Sequence, residues 1–75
     1  MPTPSDGPDL IVHSEYAVAR GYIPVYGDKF DEVEVWEGET VHIRDILPDG
    51  WVRVSTSRQL NGLIPVICVG DLIRN

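Results

Sequence analysis

Acidic side chains are concentrated in one stretch of the chain and form its densest set of chemically useful groups: Asp28, Asp31, Glu32, Glu34 and Glu37. Lys29 is the one basic residue among them. Carboxylates presented in this way can pair with Arg or Lys side chains of a ligand through charge-assisted hydrogen bonds. The stretch therefore predicts a contact for a cationic ligand, and the alternative is an acidic surface that only faces water.

Trp51 is the second candidate for a functional side chain. It opens the segment "WVRVST" (51–56), whose side chains alternate between the two faces of a strand. Because the charged Arg53 is expected to face water, Val52 and Val54 should face the core and Trp51 the solvated side. An exposed tryptophan is a typical hot spot for binding, and the alternative is a cap over the end of the strand.

The other reactive side chains form no catalytic or metal-binding pattern. Cys68 and the two histidines, His13 and His42, lack a zinc-ligand spacing. The sequence suggests no Ser, His and Asp arrangement and contains no glycine-rich phosphate loop. We therefore expect no catalytic activity, no metal and no cofactor. His42 is expected to lie on the surface, and Trp36 to be a partly exposed strand residue rather than a site.

The size and charge of the chain limit its class. Its 75 residues suffice for one small domain, and its single cysteine cannot form an internal disulfide. Packing of the 43% hydrophobic residues must therefore provide the stability. The net charge of −6 argues against nucleic acid as a partner, because phosphate binding needs cations. An acidic surface suits a basic protein partner instead.

Membrane and export signals are not recognisable in the sequence. No stretch reaches the roughly 18 apolar residues of a membrane span. The start of the chain also lacks the basic and apolar parts of a signal peptide. We therefore expect a cytoplasmic monomer without direct membrane contact by this domain, and the cytoplasmic part of a membrane-associated protein is the alternative.

Beyond an N-terminal arm, the chain has the pattern of an all-β domain. Residues 1–15 are rich in Pro and Gly, which predicts a flexible arm, and residues 16–75 form the domain. Side chains alternate along "TVHIRDI" (40–46) and again along 51–56, with a turn signal between them. A second turn leads to a strand over 62–66, so we predict a three-stranded meander within a small barrel or sandwich.

The order of these parts resembles an SH3 domain. Three stretches carry the resemblance, in order and spacing: "DEVEVWEGE" (31–39), "DGWV" (49–52) and "NGLIPVICV" (61–69). The match covers about residues 16 to 74. It implies a small five-stranded SH3-type barrel with a long acidic RT loop and a short 3-10 turn before the last strand. It also implies binding of proline-rich peptides in the polyproline II conformation.

The resemblance assigns roles to individual residues. Trp51 matches the ligand-binding tryptophan, Pro65 matches the proline of the peptide groove, and Asp49 lies at the edge of the n-Src loop. The residues that match the acidic RT positions, which pair with a ligand Arg or Lys, are Asp28, Asp31 and Glu32. The residues that match core positions are Val41, Ile43, Val52, Val54, Ile64 and Val69.

The same register divides the apolar run "GLIPVICVG" (62–70). It makes Leu63 a surface residue and Ile64 a core residue. Pro65 then ends the strand, which explains why a proline is tolerated there. The following "VIC" is expected to form the short 3-10 turn.

At several groove positions this chain lacks the residues of the family. The residues that stand there are Ile23, Val25, Leu63, Ile67 and Cys68. Tyr22 and Tyr26 alternate with Ile23 and Val25, so their side chains are expected on the other face of the strand. They reach the groove only if the register shifts. The groove is therefore predicted to be aliphatic and poor in hydrogen-bond donors, with Cys68 as a small apolar wall.

The ending "IPVICV" resembles the SH3 domains of fungal cell-fusion membrane proteins, which are associated with Ser/Thr-rich, Arg-containing ligands. The resemblance implies an interaction module of a larger scaffold or signalling protein. Its partners would be short basic peptide segments, either proline-rich or containing Ser and Thr. The alternative is an SH3-like barrel that acts as an accessory subunit through a broad domain–domain interface.

Overall fold

The computed structural model describes residues 10–24 and 31–74. The strands are β1 (Glu15–Val18), β2 (Thr40–Ile46), β3 (Trp51–Thr56), β4 (Asn61–Pro65) and β5 (Val69–Arg74), with a 3-10 turn over Val66–Cys68. Because this part contains no α-helix, the expected all-β class is confirmed. No helix among the described residues has the length and apolar character needed to cross a membrane.

The five strands form one antiparallel sheet in the order β4-β3-β2-β1-β5. Within the described residues β4 and β5 do not pair with each other, so the sheet is open. The ladder between β2 and β3 shifts its register between Ile43 and Asp45, and the ladder between β1 and β5 is also irregular. Irregularities of this kind bend strands and increase their twist.

The core lies on one face of the sheet because β2 and β3 alternate as their sequences predict. Val41 and Ile43 are fully buried in β2, and Val52 and Val54 are fully buried in β3. The buried hydrophobic residues of the described part are Tyr16, Val18, Val35, Val41, Ile43, Val52, Val54, Ile64 and Cys68. The expected core residues therefore belong to the core, except that Val69 is half-buried and packs against it.

Strand β4 ends at Pro65, as the register of the resemblance implies. Compared with the strand over 62–66 that the turn pattern predicts, it begins and ends one residue earlier, and the 3-10 turn follows directly. Pro65 has the extended conformation, with φ −64° and ψ 142°. Leu63 is half-buried whereas Ile64 is fully buried, which confirms their expected faces.

The segment before β1 is attached to the sheet. The backbone N–H of His13 donates to the carbonyl of Ile43 at 2.7 Å, and the N–H of Ile43 donates to the carbonyl of Ser14 at 2.9 Å. His13 and Ser14 of the expected flexible arm are thus hydrogen-bonded to β2, and Glu15, its last residue, already belongs to β1. Residues 1–9 of that arm lie outside the described part of the chain.

Candidate functional site

Trp51 opens β3 and lies on the face of the sheet opposite the core. It is half-buried, and Pro65 is its direct partner across the ladder to β4. The backbone around it is fixed by two hydrogen bonds: Leu47 N–H donates to the Trp51 carbonyl at 2.9 Å, and Val66 N–H donates to the Gly50 carbonyl at 2.8 Å. The hairpin and the 3-10 turn therefore position Trp51 and Pro65 side by side.

The turn before Trp51 depends on a glycine. Gly50 has a φ of 85°, a conformation that glycine adopts at little steric cost. Asp49 precedes it and is exposed in this turn. The "PDG" signal thus corresponds to a tight turn, and Asp49 stands close in the chain to Trp51 with its carboxylate free to face a ligand or water.

Tyr22, rather than Ile23, faces Trp51. The two rings meet edge to face, with centroids 6.1 Å apart and an interplanar angle of 80°. Tyr22 is held by a reciprocal pair of backbone hydrogen bonds with Val35, of 2.8 and 3.0 Å. Ile23, expected in the groove, is instead 72% exposed. The groove therefore gains an aromatic wall that strand parity alone did not predict.

The hydroxyl of Tyr22 donates a 2.7 Å hydrogen bond to Oε1 of Glu32. This hydrogen bond, together with burial and the negative charge of Glu32, raises the pKa of Tyr22 to about 12. The phenol therefore stays protonated at neutral pH and keeps the Glu32 carboxylate oriented. A carboxylate can accept several hydrogen bonds, so Glu32 still has acceptor capacity for a ligand.

Glu32 reaches this place because its segment lies along the outer edge of β4. Leu63 N–H donates to the Asp31 carbonyl at 2.8 Å, and Val33 N–H donates to the Leu63 carbonyl at 3.1 Å. The approach is close because Gly62 has no side chain: a Cβ there would collide with the Asp31 carbonyl and lie 2.5 Å from Cγ1 of Val33. Gly62 is thus the residue that allows an acidic segment to cover β4.

The remaining predicted site residues lie in different places. Asp31 is exposed and has a φ of 60°, and Ile67 on the 3-10 turn is 66% exposed. Leu63 is the cross-strand partner of Arg53, which adds one positive charge to the same face. Two further predicted residues, Val25 and Asp28, lie outside the described residues.

Cys68 does not form a wall of the groove. It is 2% exposed and belongs to the hydrophobic core, where burial raises the pKa of its thiol. A peptide on the surface cannot contact a side chain inside the core. Cys68 therefore acts as a small hydrophobic residue of the core and is removed from the candidate site.

Five of these residues are joined by contacts, and we call them the Trp51 surface: Trp51, Tyr22, Pro65, Leu63 and Glu32. Asp31, Asp49 and Ile67 are neighbours of these residues in the chain. Two aromatic rings and a proline provide an apolar ridge, and carboxylates lie beside it. This combination can hold an extended peptide that carries apolar side chains and a cation.

Comparisons with known proteins do not assign the chain to a family. No protein-family model matches it, and no curated protein matches it at a significant level. The functional assignment therefore depends on the geometry of the Trp51 surface and on the resemblance of the sequence motifs.

Proposed function

We propose that this chain is a non-catalytic interaction module of the SH3 type, which binds short linear peptides at the Trp51 surface. One observation carries the proposal: Trp51 contacts Tyr22, and Tyr22 is hydrogen-bonded to Glu32. A preformed aromatic pair beside an oriented carboxylate offers a peptide both an apolar contact and an ionic contact. Because the side chains already hold each other, little conformational entropy is lost on binding.

The fold supports this proposal at a coarse level. Five antiparallel strands and a 3-10 turn before β5 agree with what the sequence resemblance implies. The finer features, an SH3-type barrel and an acidic RT loop, are part of the proposal. So are its cytoplasmic location, its monomeric state and its place within a larger scaffold or signalling protein.

The chemistry of the Trp51 surface indicates what the peptide contains. Flat aromatic rings next to Pro65 suit proline or aliphatic side chains of an extended chain. Glu32 and Asp31 suit an Arg or Lys of the same peptide. Tyr22 makes the surface more aromatic than the sequence predicted, which favours proline-containing ligands alongside Ser/Thr-containing ones.

Selection from a random peptide display library tests the proposal. We expect basic peptides that contain proline, or Ser and Thr, to be enriched. Trp51→Ala should weaken their binding by about 30-fold, since a hot-spot residue contributes at least about 2 kcal/mol. Ile73→Ser, on the exposed part of β5, is the control and should leave the affinity unchanged, as measured by fluorescence polarisation of a labelled peptide.

Circular dichroism of Trp51→Ala separates binding from folding. A variant that keeps its β spectrum but loses the peptide supports the proposal. Unchanged affinity, or an unfolded Trp51→Ala, contradicts it, because Trp51 would then be either irrelevant to binding or part of the core. Binding of a folded partner domain, with no peptides enriched from the library, would favour the accessory-subunit alternative.

A further inference from the structure

An isolated antiparallel bridge joins Tyr22 and Val35, and we call the two short segments that it joins the ribbon, which has a second face. Val35 is 1% exposed and turns into the core, and Tyr22 is half-buried on the same side of the ribbon. Because side chains alternate along extended segments, their neighbours turn outwards. Ile23 is 72% exposed and Trp36 is 58% exposed. The ribbon thus presents two large apolar side chains to water, on the face opposite to Tyr22.

Ile23 and Trp36 leave the bridge on the same side. Each directly follows one member of the antiparallel Tyr22–Val35 bridge, so both side chains turn to the same face. Gly21 adds no side chain beside the indole, since a Cβ at Gly21 would lie 3.8 Å from the Trp36 Cα. The outer face therefore has an accessible apolar strip rather than two isolated residues.

The indole of Trp36 is held in place by polar contacts. Its Nε1–H donates to Oε2 of Glu34 at 2.6 Å, and its backbone N–H donates to Oε1 of Glu39 at 2.9 Å. The guanidinium of Arg58 lies over the ring, 4.7 Å from its centroid, and Arg58 is ion-paired with Glu39 at 2.9 Å. An exposed aromatic ring that is already ordered binds a partner at low entropic cost.

The charges around Trp36 favour a cationic partner. Glu34 and Glu37 stand on either side of it in the chain, while Arg58 is neutralised by its ion pair with Glu39. The position of Arg58 also demonstrates that this ring accepts a guanidinium on its face through a cation–π contact. The surroundings of the strip are therefore negative.

We propose that Ile23 and Trp36 form a second interaction surface, which binds a basic segment of another protein carrying Lys or Arg next to an aliphatic side chain. The aliphatic group covers Ile23, and the cation lies near Trp36 and Glu34. Within the ribbon, Ile23 and Trp36 lie on the face opposite to Tyr22, so a partner can occupy this surface while a peptide occupies the Trp51 surface. The inference does not depend on the proposed function, because it uses none of the residues of the Trp51 surface.

Substitution of Ile23 provides the test. Peptides selected from a random display library on the intact chain are synthesised and titrated against the wild type, Ile23→Ser and Trp36→Ala. We expect one class of peptides, containing Lys or Arg with Leu or Ile, to lose at least tenfold in affinity with either substitution. Ile73→Ser is the matched control, because Ile73 is 52% exposed on β5, and it should change nothing.

Several outcomes would overturn the inference. If every selected peptide binds Ile23→Ser as tightly as the wild type, the second surface does not exist in this form. If the wild type dimerises in analytical ultracentrifugation and Ile23→Ser does not, the occupant is a second copy of the chain. Sensitivity to Trp51→Ala reports on the proposed function alone, so the failure of one idea can be distinguished from the failure of the other.

Discussion

The two tryptophans of this chain occupy contrasting environments. Trp51 is half-buried next to Tyr22 and Pro65, and its backbone is fixed by the β2–β3 turn. Trp36 is exposed, and charged side chains, Arg58 and Glu34, hold its ring. The same residue type is thus positioned by backbone pairing in one region and by polar side chains in the other. The two regions should respond differently to packing changes, pH and salt.

The largest difference between the two regions is expected when a nearby glycine is replaced by alanine, which adds one methyl group at Gly62 or at Gly21. Gly62→Ala should push the segment that carries Glu32 away from β4, because the new Cβ collides with the Asp31 carbonyl and Val33. We expect the free energy of unfolding to fall by about 1–3 kcal/mol, as for overpacked sites. Urea denaturation followed by circular dichroism measures this change.

Gly21→Ala is the matched control behind Trp36. Its Cβ would lie 3.3 Å from the Val35 carbonyl, a tight contact but not a collision. The loss of stability should therefore be clearly smaller than for Gly62→Ala. Equal losses at the two glycines would mean that the edge of β4 is not covered as closely as the structure has it.

A second, intermediate effect is expected at alkaline pH and only in the Trp51 region. The pKa of Tyr22 is raised from 10.0 to about 12 in the folded state, so its contribution to stability is complete below pH 10. That contribution is lost as the pH rises towards about 12. Tyr22→Phe should remove this part of the alkaline loss while keeping the ring beside Trp51, as measured by urea denaturation across that pH range.

Glu32→Gln sharpens the same test. Replacing the carboxylate removes the charged acceptor that raises the pKa of Tyr22, so tyrosinate absorbance should appear at lower pH than in the wild type. Trp36→Ala is the control and should leave the titration of Tyr22 unchanged. A tyrosine titration that is insensitive to Glu32→Gln would contradict the hydrogen bond.

Regular strands could be predicted from the sequence because alternation has a direct physical cause. The spans of β2 and β3, the burial of Val52 and Val54, and the end of β4 at Pro65 all follow from which faces contact the core. Each of these depends on side chains within one continuous strand, where parity is preserved. The all-β class followed from the same patterns.

The parts that could not be predicted depend on contacts between segments that are distant in the sequence. Alternation counted back from Val33 without a gap placed Ile23 at the position beside Trp51, whereas the structure has Tyr22 there. The sequence did contain a signal, since a tyrosine is usual at this position in the SH3 family that the sequence resembles. Likewise, a spacing pattern could not show that Cys68 is buried or that Arg58 covers Trp36, because both depend on the packing of distant segments.

The smallest effect is expected at acidic pH and in the Trp36 region. The hydrogen bond from Arg58 lowers the pKa of Glu39 below its ordinary value of 4.5. Because the folded-state pKa is lowered, this stabilisation is present above pH 4.5 and is lost as the pH falls through the lowered value. In Glu39→Gln the free energy of unfolding should therefore fall less as the pH is lowered than it does in the wild type. This difference should be smaller than the loss of stability caused by Gly62→Ala.

The loss of the Arg58–Glu39 contact can also be followed by the fluorescence of Trp36, in a Trp51→Phe variant that has no other tryptophan. Glu39→Gln should make Trp36 more mobile and shift its emission to longer wavelength, and high salt should have a similar but weaker effect because it screens the ion pair with Arg58. Glu37→Gln is the matched control. An emission spectrum that does not respond to Glu39→Gln would show that the ring is not held by these contacts.

Under the proposed function, Pro65 has a consequence for how the ligand preference of this chain can change during evolution. It ends β4, directly precedes the 3-10 turn and lies beside Trp51, so one side chain serves the backbone and the proposed binding surface at once. A substitution there that adjusts specificity also alters the end of a strand. Leu63 and Ile67 carry no such double requirement. New ligand preferences should therefore arise at these two positions, while Pro65 changes slowly.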